Sequence, residues 1–173
     1  MITKKAVVLV AILTIGLVVS CKDNETNAND NNEKPYGIIT DTSGCKSFAP
    51  DSERKVPKNK ECVEAEYSSQ NKILRLTHVN AGFNCCPGVI SAEITIEDDA
   101  ISIVEKQSQA GCRCNCLYDV KYELRNIDSG AYEFTITGPL TGGDQSPPPL
   151  KFSLDLNKSA DEFCLERNFY PWE

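Results

Sequence analysis

The chain has 173 residues, 18 Lys and Arg against 25 Asp and Glu, a formal charge of −7, and nine cysteines. That acidic balance, with no basic cluster to neutralise a phosphate backbone, argues against nucleic acid as a partner. The length suits one domain with a real hydrophobic core once the terminal segments are set aside.

The first element is a leader. Lys4 and Lys5 precede an apolar run from Ala6 to Val19 that is broken only by Thr14 and Gly16. Such a run is shorter than the ~20 residues needed to cross a bilayer, as expected of a signal-peptide core. It closes on Val18-Val19-Ser20-Cys21, which resembles the bacterial lipobox. The resemblance implies cleavage before Cys21, with diacylglycerol on its sulfur and an acyl chain such as palmitate on its amine. Several buried chains would make that anchor effectively permanent. Loss of residues 1–20 removes Lys4 and Lys5 and takes the charge from −7 to −9. Lys22 follows the cysteine, and the absence of Asp there implies, by analogy with lipoprotein sorting, passage to the outer membrane. The run Lys22-Asp23-Asn24-Glu25 also resembles a surface-export signal of some Bacteroidetes-type lipoproteins. The expected location is the outer membrane, on its periplasmic face or at the cell surface.

Residues 22–34 hold no aromatic residue and no aliphatic one beyond Ala28. They cannot bury enough apolar surface to offset chain entropy and read as a disordered tether of roughly 20 Å. The domain is expected from residue 35 to residue 173. Pro35 to Lys60 reads as loop, punctuated by Gly37, Gly44, Pro50 and Pro57. Val63, Ala65 and Tyr67 then alternate with acids, and Ser68–Asn71 turns the chain into a strand over Ile73–Val79. Asn80 to Gly88 reads as a second loop, carrying Cys85 and Cys86.

Ile90, Ala92, Ile94 and Ile96 alternate with polar residues, and Asp98-Asp99 turns them into Ile101 and Ile103, a hairpin. In Cys112–Leu124 a period of two puts Cys112, Cys114, Cys116, Tyr118, Val120, Tyr122 and Leu124 on one face, with Leu117 alone apolar on the other. Asp128-Ser129-Gly130-Ala131-Tyr132 resembles the tyrosine corner of immunoglobulin-like sandwiches, with Phe134 where that pattern has a cysteine. Leu150, Phe152, Leu154 and Leu156 form a last strand. Short strands joined by turns, with no apolar period of 3.6, predict an all-β, antiparallel β-sandwich, immunoglobulin-like in general architecture.

With Cys21 acylated, Cys45, Cys62, Cys85, Cys86, Cys112, Cys114, Cys116 and Cys164 remain. An even number in an exported chain reads as a disulfide framework. Vicinal Cys85 and Cys86 are poorly placed to pair with each other, so each is expected to cross to one of Cys112, Cys114 and Cys116. The third strand cysteine would reach Cys164, Cys45 or Cys62. The alternative is a copper or zinc thiolate site built from Cys85, Cys86, Cys112, Cys114 and Cys116 with His78, the only histidine. The spacing lacks the C-x-x-C of a zinc finger or a thiol oxidoreductase, so disulfides without a cofactor are the first expectation.

Nothing in the chain singles out catalysis. No G-x-S-x-G elbow accompanies His78, and no carboxylate pair stands out. Asp155, Asn157, Ser159, Asp161 and Glu166 match the ligand spacing of a calcium loop, but Ala160 occupies the glycine position, and a strand end followed by a loop is the simpler reading. The closing Phe169-Tyr170-Pro171-Trp172 is expected to fold back over one end of the core. As a whole, residues 45–172 resemble a set of cysteine-rich bacterial lipoproteins through HVNAGFNCCPG, GCRCNCLYDVKYEL and CLERNFYPW. That resemblance implies an envelope address and no particular activity. The expectation is a non-enzymatic binding or structural module, membrane-attached by its lipid, with a protein or glycan partner.

Overall fold

The computed structural model describes residues 33–47, 56–142 and 146–172, so the leader, Cys21 and nearly all of the tether lie outside the described residues. Among the described residues there is no helix. Nine strands follow in order: β1 Tyr36–Thr42, β2 Lys60–Ser68, β3 Ile73–Asn84, β4 Ile90–Glu97, β5 Ala100–Gln107, β6 Asn115–Arg125, β7 Ala131–Thr137, β8 Leu150–Asp155 and β9 Ala160–Glu166. They form a five-stranded sheet in the order β1-β6-β3-β2-β9 and a four-stranded sheet in the order β4-β5-β7-β8.

The two sheets pack face to face, as the alternating sequence requires. Leu74, Leu76, Val120, Tyr122 and Leu124 from the first meet Ile101, Ile103, Phe134, Ile136 and Phe152 from the second in one core. Phe152 stacks between Phe134 and Phe163, with ring centroids 5.1 Å away on each side. The fold is therefore the expected disulfide-bridged all-β sandwich, with one refinement. Every ladder is antiparallel except β5 with β7, which run parallel. The Asp98-Asp99 hairpin joins β4 to β5, with Asp98 at φ 50°. The corner device is also present, since the Tyr132 hydroxyl donates to the Asp128 carbonyl at 3.2 Å.

Four elements differ from the sequence reading. Tyr36–Thr42, read as loop, is the edge strand β1, and its Gly37 lies so close to β4 that a Cβ there would stand 2.8 Å from Ile94 Cδ1. Asn80–Asn84, also read as loop, completes β3. A bulge shifts the register between His78 and Ala81, with Asn80 at φ 63°, so the inward set jumps from Leu74, Leu76 and His78 to Ala81 and Phe83. One inserted residue reverses the parity of the alternation, which hides the strand from a period-two reading.

Strand β6 begins only at Asn115, so Cys112 and Cys114 precede it and Cys116 alone sits within the ladder. Leu117, on the opposite face, is also buried. Finally, the segment after the Asp155–Asn157 turn is not loop but β9, paired with β2. In that turn the Asp155 carboxylate accepts from the Asn157 backbone at 3.1 Å and its side chain at 2.7 Å, which holds the carboxyl below its usual range.

Candidate functional site

The cysteines form four bridges: Cys45–Cys116, Cys62–Cys164, Cys85–Cys114 and Cys86–Cys112. Cys62 and Cys164 face each other directly across β2 and β9. The other three gather at one end of β3 and β6, where Asn84 organises two of them, Cys85–Cys114 and Cys86–Cys112. Its side-chain nitrogen donates to the carbonyls of Cys112 at 2.7 Å and Cys114 at 3.0 Å. Its side-chain oxygen accepts from the amides of Cys86 at 2.9 Å and Cys112 at 3.1 Å. A single carboxamide thus satisfies four backbone groups of a loop that has no ladder of its own, the accounting that a buried asparagine requires.

His78 is not part of that end. It lies on the inner face of β3, 2% exposed, between two carboxylates. Its Nε2 is 2.9 Å from Glu61 Oε1 on β2, and its Nδ1 is 2.7 Å from Glu105 Oε1 on β5 in the opposite sheet. The Tyr122 hydroxyl, from β6, donates to the same Glu105 oxygen at 2.5 Å. Arg167, just past β9, donates from Nε to Glu61 Oε2 at 2.5 Å and from Nη1 to the Pro148 carbonyl at 2.8 Å. Arg167, Glu61, His78 and Glu105 therefore form a buried chain of alternating charge that crosses the sandwich.

The electrostatics follow from that order. Both ring nitrogens of His78 face carboxylate oxygens, so a doubly protonated ring donates at each side, whereas a neutral ring would turn a lone pair toward an anion. Burial alone would push the ring down in pKa. The charge of Glu105, hydrogen bonds with Glu105 and Glu61, and the charge of Glu61 together outweigh it and push His78 up to about 10. Burial, and then the charge of Glu105 and the hydrogen bond to it, push the Tyr122 phenol far up, so it stays a neutral donor. Two cations and two anions balance, the condition under which buried charge is tolerated. Glu105 Oε2 and Arg167 Nη2 are buried without a hydrogen-bond partner.

The C-terminal segment closes over this chain. Trp172 is fully buried, its indole N–H donates to the Asn80 carbonyl at 2.9 Å, and Arg167 Cζ stands 5.6 Å from its ring centroid. The ring fits because residue 82 is glycine; a Cβ there would stand 2.6 Å from Trp172 Cη2. Phe169 and Tyr170, by contrast, are 49% and 57% exposed.

Of the residues singled out in the sequence, the eight domain cysteines come together in pairs, while Cys21 lies outside the described residues. Cys85, Cys86, Cys112, Cys114 and Cys116 are all bridged, and both nitrogens of His78 are engaged by Glu61 and Glu105. Among the described residues, one group of potential ligands has its atoms within 4.8 Å, namely Cys62, Glu162 and Cys164, but two of its three members are the sulfurs of one disulfide. Glu61, Glu105, Tyr122 and Arg167 were not foreseen as a cluster. The available signal was parity: Glu105 continues the inward set Ile101 and Ile103, and Glu61 precedes the inward Val63 and Ala65. Comparison of the chain with protein-family models, with curated proteins and with solved structures returns no match.

Proposed function

We propose that the protein is a lipid-anchored component of the bacterial cell envelope, attached through Cys21, whose domain serves as a non-enzymatic binding or structural module. The observation that carries this reading is the placement of its charged cluster. Glu61, His78, Glu105 and Arg167 are each no more than 3% exposed. A substrate-facing acid or base must come within hydrogen-bond reach of a reacting group. Groups sealed between two sheets act instead on the fold. The four bridges support an oxidising, extracytoplasmic address, where such bonds persist.

Two measurements test the reading. Labelled palmitate should enter the wild-type chain and fractionate with membranes, and Cys21→Ala should abolish both; a soluble, unlabelled wild type would overturn the anchor. Intact mass after alkylation, without and with reduction, should show no free thiol among the eight domain cysteines until reductant is added. Free thiols at Cys85, Cys86, Cys112, Cys114 and Cys116, together with co-purified copper or zinc, would replace the staple reading with a metal–thiolate one.

A further inference from the structure

The loop that joins β5 to β6 carries Arg113 between two bridged cysteines, Cys112 linked to Cys86 and Cys114 linked to Cys85. The chain is held on both sides of it. The side-chain nitrogen of Asn84 donates to the carbonyls of Cys112 at 2.7 Å and Cys114 at 3.0 Å, and the Cys85 N–H donates to the Cys114 carbonyl at 2.9 Å. Arg113 itself is exposed, and among the described residues neither its guanidinium nor its backbone N–H and carbonyl has a partner. Its charge is uncompensated as well. In a chain with 25 Asp and Glu, none falls within residues 79–92 or 106–118, the two segments that form this end. Those segments are joined by the Ser108 N–H to the Val89 carbonyl and the Gln109 N–H to the Pro87 carbonyl, both at 3.0 Å. One arginine, backbone and side chain alike, is thus offered to a partner on a loop already fixed in shape.

We infer that Arg113 is the specificity residue of an inhibitory loop directed at serine proteases that cleave after arginine. Such a protease reads the residue before the scissile bond in a pocket with a carboxylate at its base and takes that residue's carbonyl into an oxyanion hole. Arg113 keeps both groups free. An ordinary substrate loses chain entropy when it is ordered in the cleft, whereas this loop is ordered beforehand, and preorganisation of that kind raises affinity. The clamp also accounts for inhibition rather than turnover. Attack by the serine hydroxyl on the Arg113 carbonyl forms an ester and breaks the bond to Cys114, whose nitrogen receives the hydroxyl proton through the histidine. Cys114 is tied to Cys85 and Asn84, and Cys112 to Cys86 and Asn84, so the new amine stays beside the ester and re-forms the peptide bond ahead of water. In an unlinked loop that amine would diffuse away and hydrolysis would follow. The inference rests on the binding-module reading and names its partner class.

The test uses the full chain in non-ionic detergent micelles, with trypsin, chymotrypsin and a chromogenic anilide substrate for each. Trypsin should be inhibited competitively and chymotrypsin at least about a hundredfold more weakly, while mass spectrometry finds the Arg113–Cys114 bond largely intact after hours with trypsin. Arg113→Ala should weaken trypsin inhibition about thirtyfold or more, the loss of one interface hot spot, without moving the melting temperature, because the side chain has no partner to lose. Arg113→Leu should transfer the preference to chymotrypsin. Absence of trypsin inhibition by wild type, inhibition that survives Arg113→Ala, or prompt cleavage after Arg113 with loss of inhibition would overturn the proposal. Intact mass after alkylation of the same sample separates the two readings. Bridged cysteines without inhibition refute the inhibitory loop alone, and free thiols refute the stapled module and the loop with it.

Discussion

Replacing His78 with leucine leaves Glu61 its partner Arg167 but leaves Glu105 only the Tyr122 hydroxyl. Glu105 is 3% exposed and cannot recover hydration. Breaking a buried ion pair from one side costs about 3–5 kcal/mol, much of it the uncompensated charge that remains. The histidine gives a second route to the same size. Its pKa stands at about 10 in the folded chain, against the ordinary 6.5, a difference that corresponds to about 5 kcal/mol at most. Because the folded value is raised, the contribution is complete below pH 6.5 and is lost as pH climbs from there through about 10. The single tryptophan, Trp172, is buried against Arg167 and reports unfolding by fluorescence. Urea titrations from pH 6 to pH 10 should therefore show wild-type stability falling by several kcal/mol, roughly as the linkage relation requires. His78→Leu should start about 3–5 kcal/mol lower and lack that descent, and adding Glu105→Leu should restore most of the loss. A single substitution costing under about 1 kcal/mol, or a double variant no more stable than the single, would refute the reasoning that these charges sustain one another.

Other perturbations reach different parts of the structure. Gly82→Ala forces a Cβ into the Trp172 ring, so a loss of about 1–3 kcal/mol by overpacking and a red-shifted emission are expected. Asn84→Ala strips four backbone partners from the double-cystine loop; at about 1 kcal/mol per bond it should cost roughly 2–4 kcal/mol in urea, and non-reducing peptide mapping should detect scrambled pairs. Replacing both Cys62 and Cys164 by serine opens a bridge of sequence separation 102. The chain-entropy relation sets the loss at about 5 kcal/mol at most, reduced by the bridges that remain, and limited proteolysis should then cut first at β9.

The legible parts of the fold are those where alternation runs undisturbed. Strands β4, β5, β7 and β8 and the Asp98-Asp99 hairpin follow directly from side chains that change face at every step. The illegible parts each break that rule for a local reason. In β3 the bulge at Asn80 reverses parity, and the side chain of Asn80 is held by the carbonyls of Pro57 and Lys60, which belong to a distant segment. Around Cys112 and Cys114 the apparent period of two belongs to cross-links and to Asn84 rather than to a ladder. Leu117 looked misplaced because the residues that line a cleft with it, Tyr170 and Pro171, come more than fifty residues later in the chain.

The charged core has the same origin. Glu61, His78, Glu105 and Arg167 are scattered over three strands and the C-terminal segment, and each taken alone reads as an ordinary polar residue. By itself, the sequence determined the sandwich class, the positions of most strands and an even set of eight bridging cysteines. Those properties depend on periodicity, composition and short motifs, which are local. Only the tertiary structure decided which cysteines pair, that four ionisable groups neutralise one another between the sheets, and that one asparagine amide holds the chain on both sides of Arg113. Burial and pairing depend on residues brought together from opposite ends of the chain, and distance along the chain carries almost no information about them.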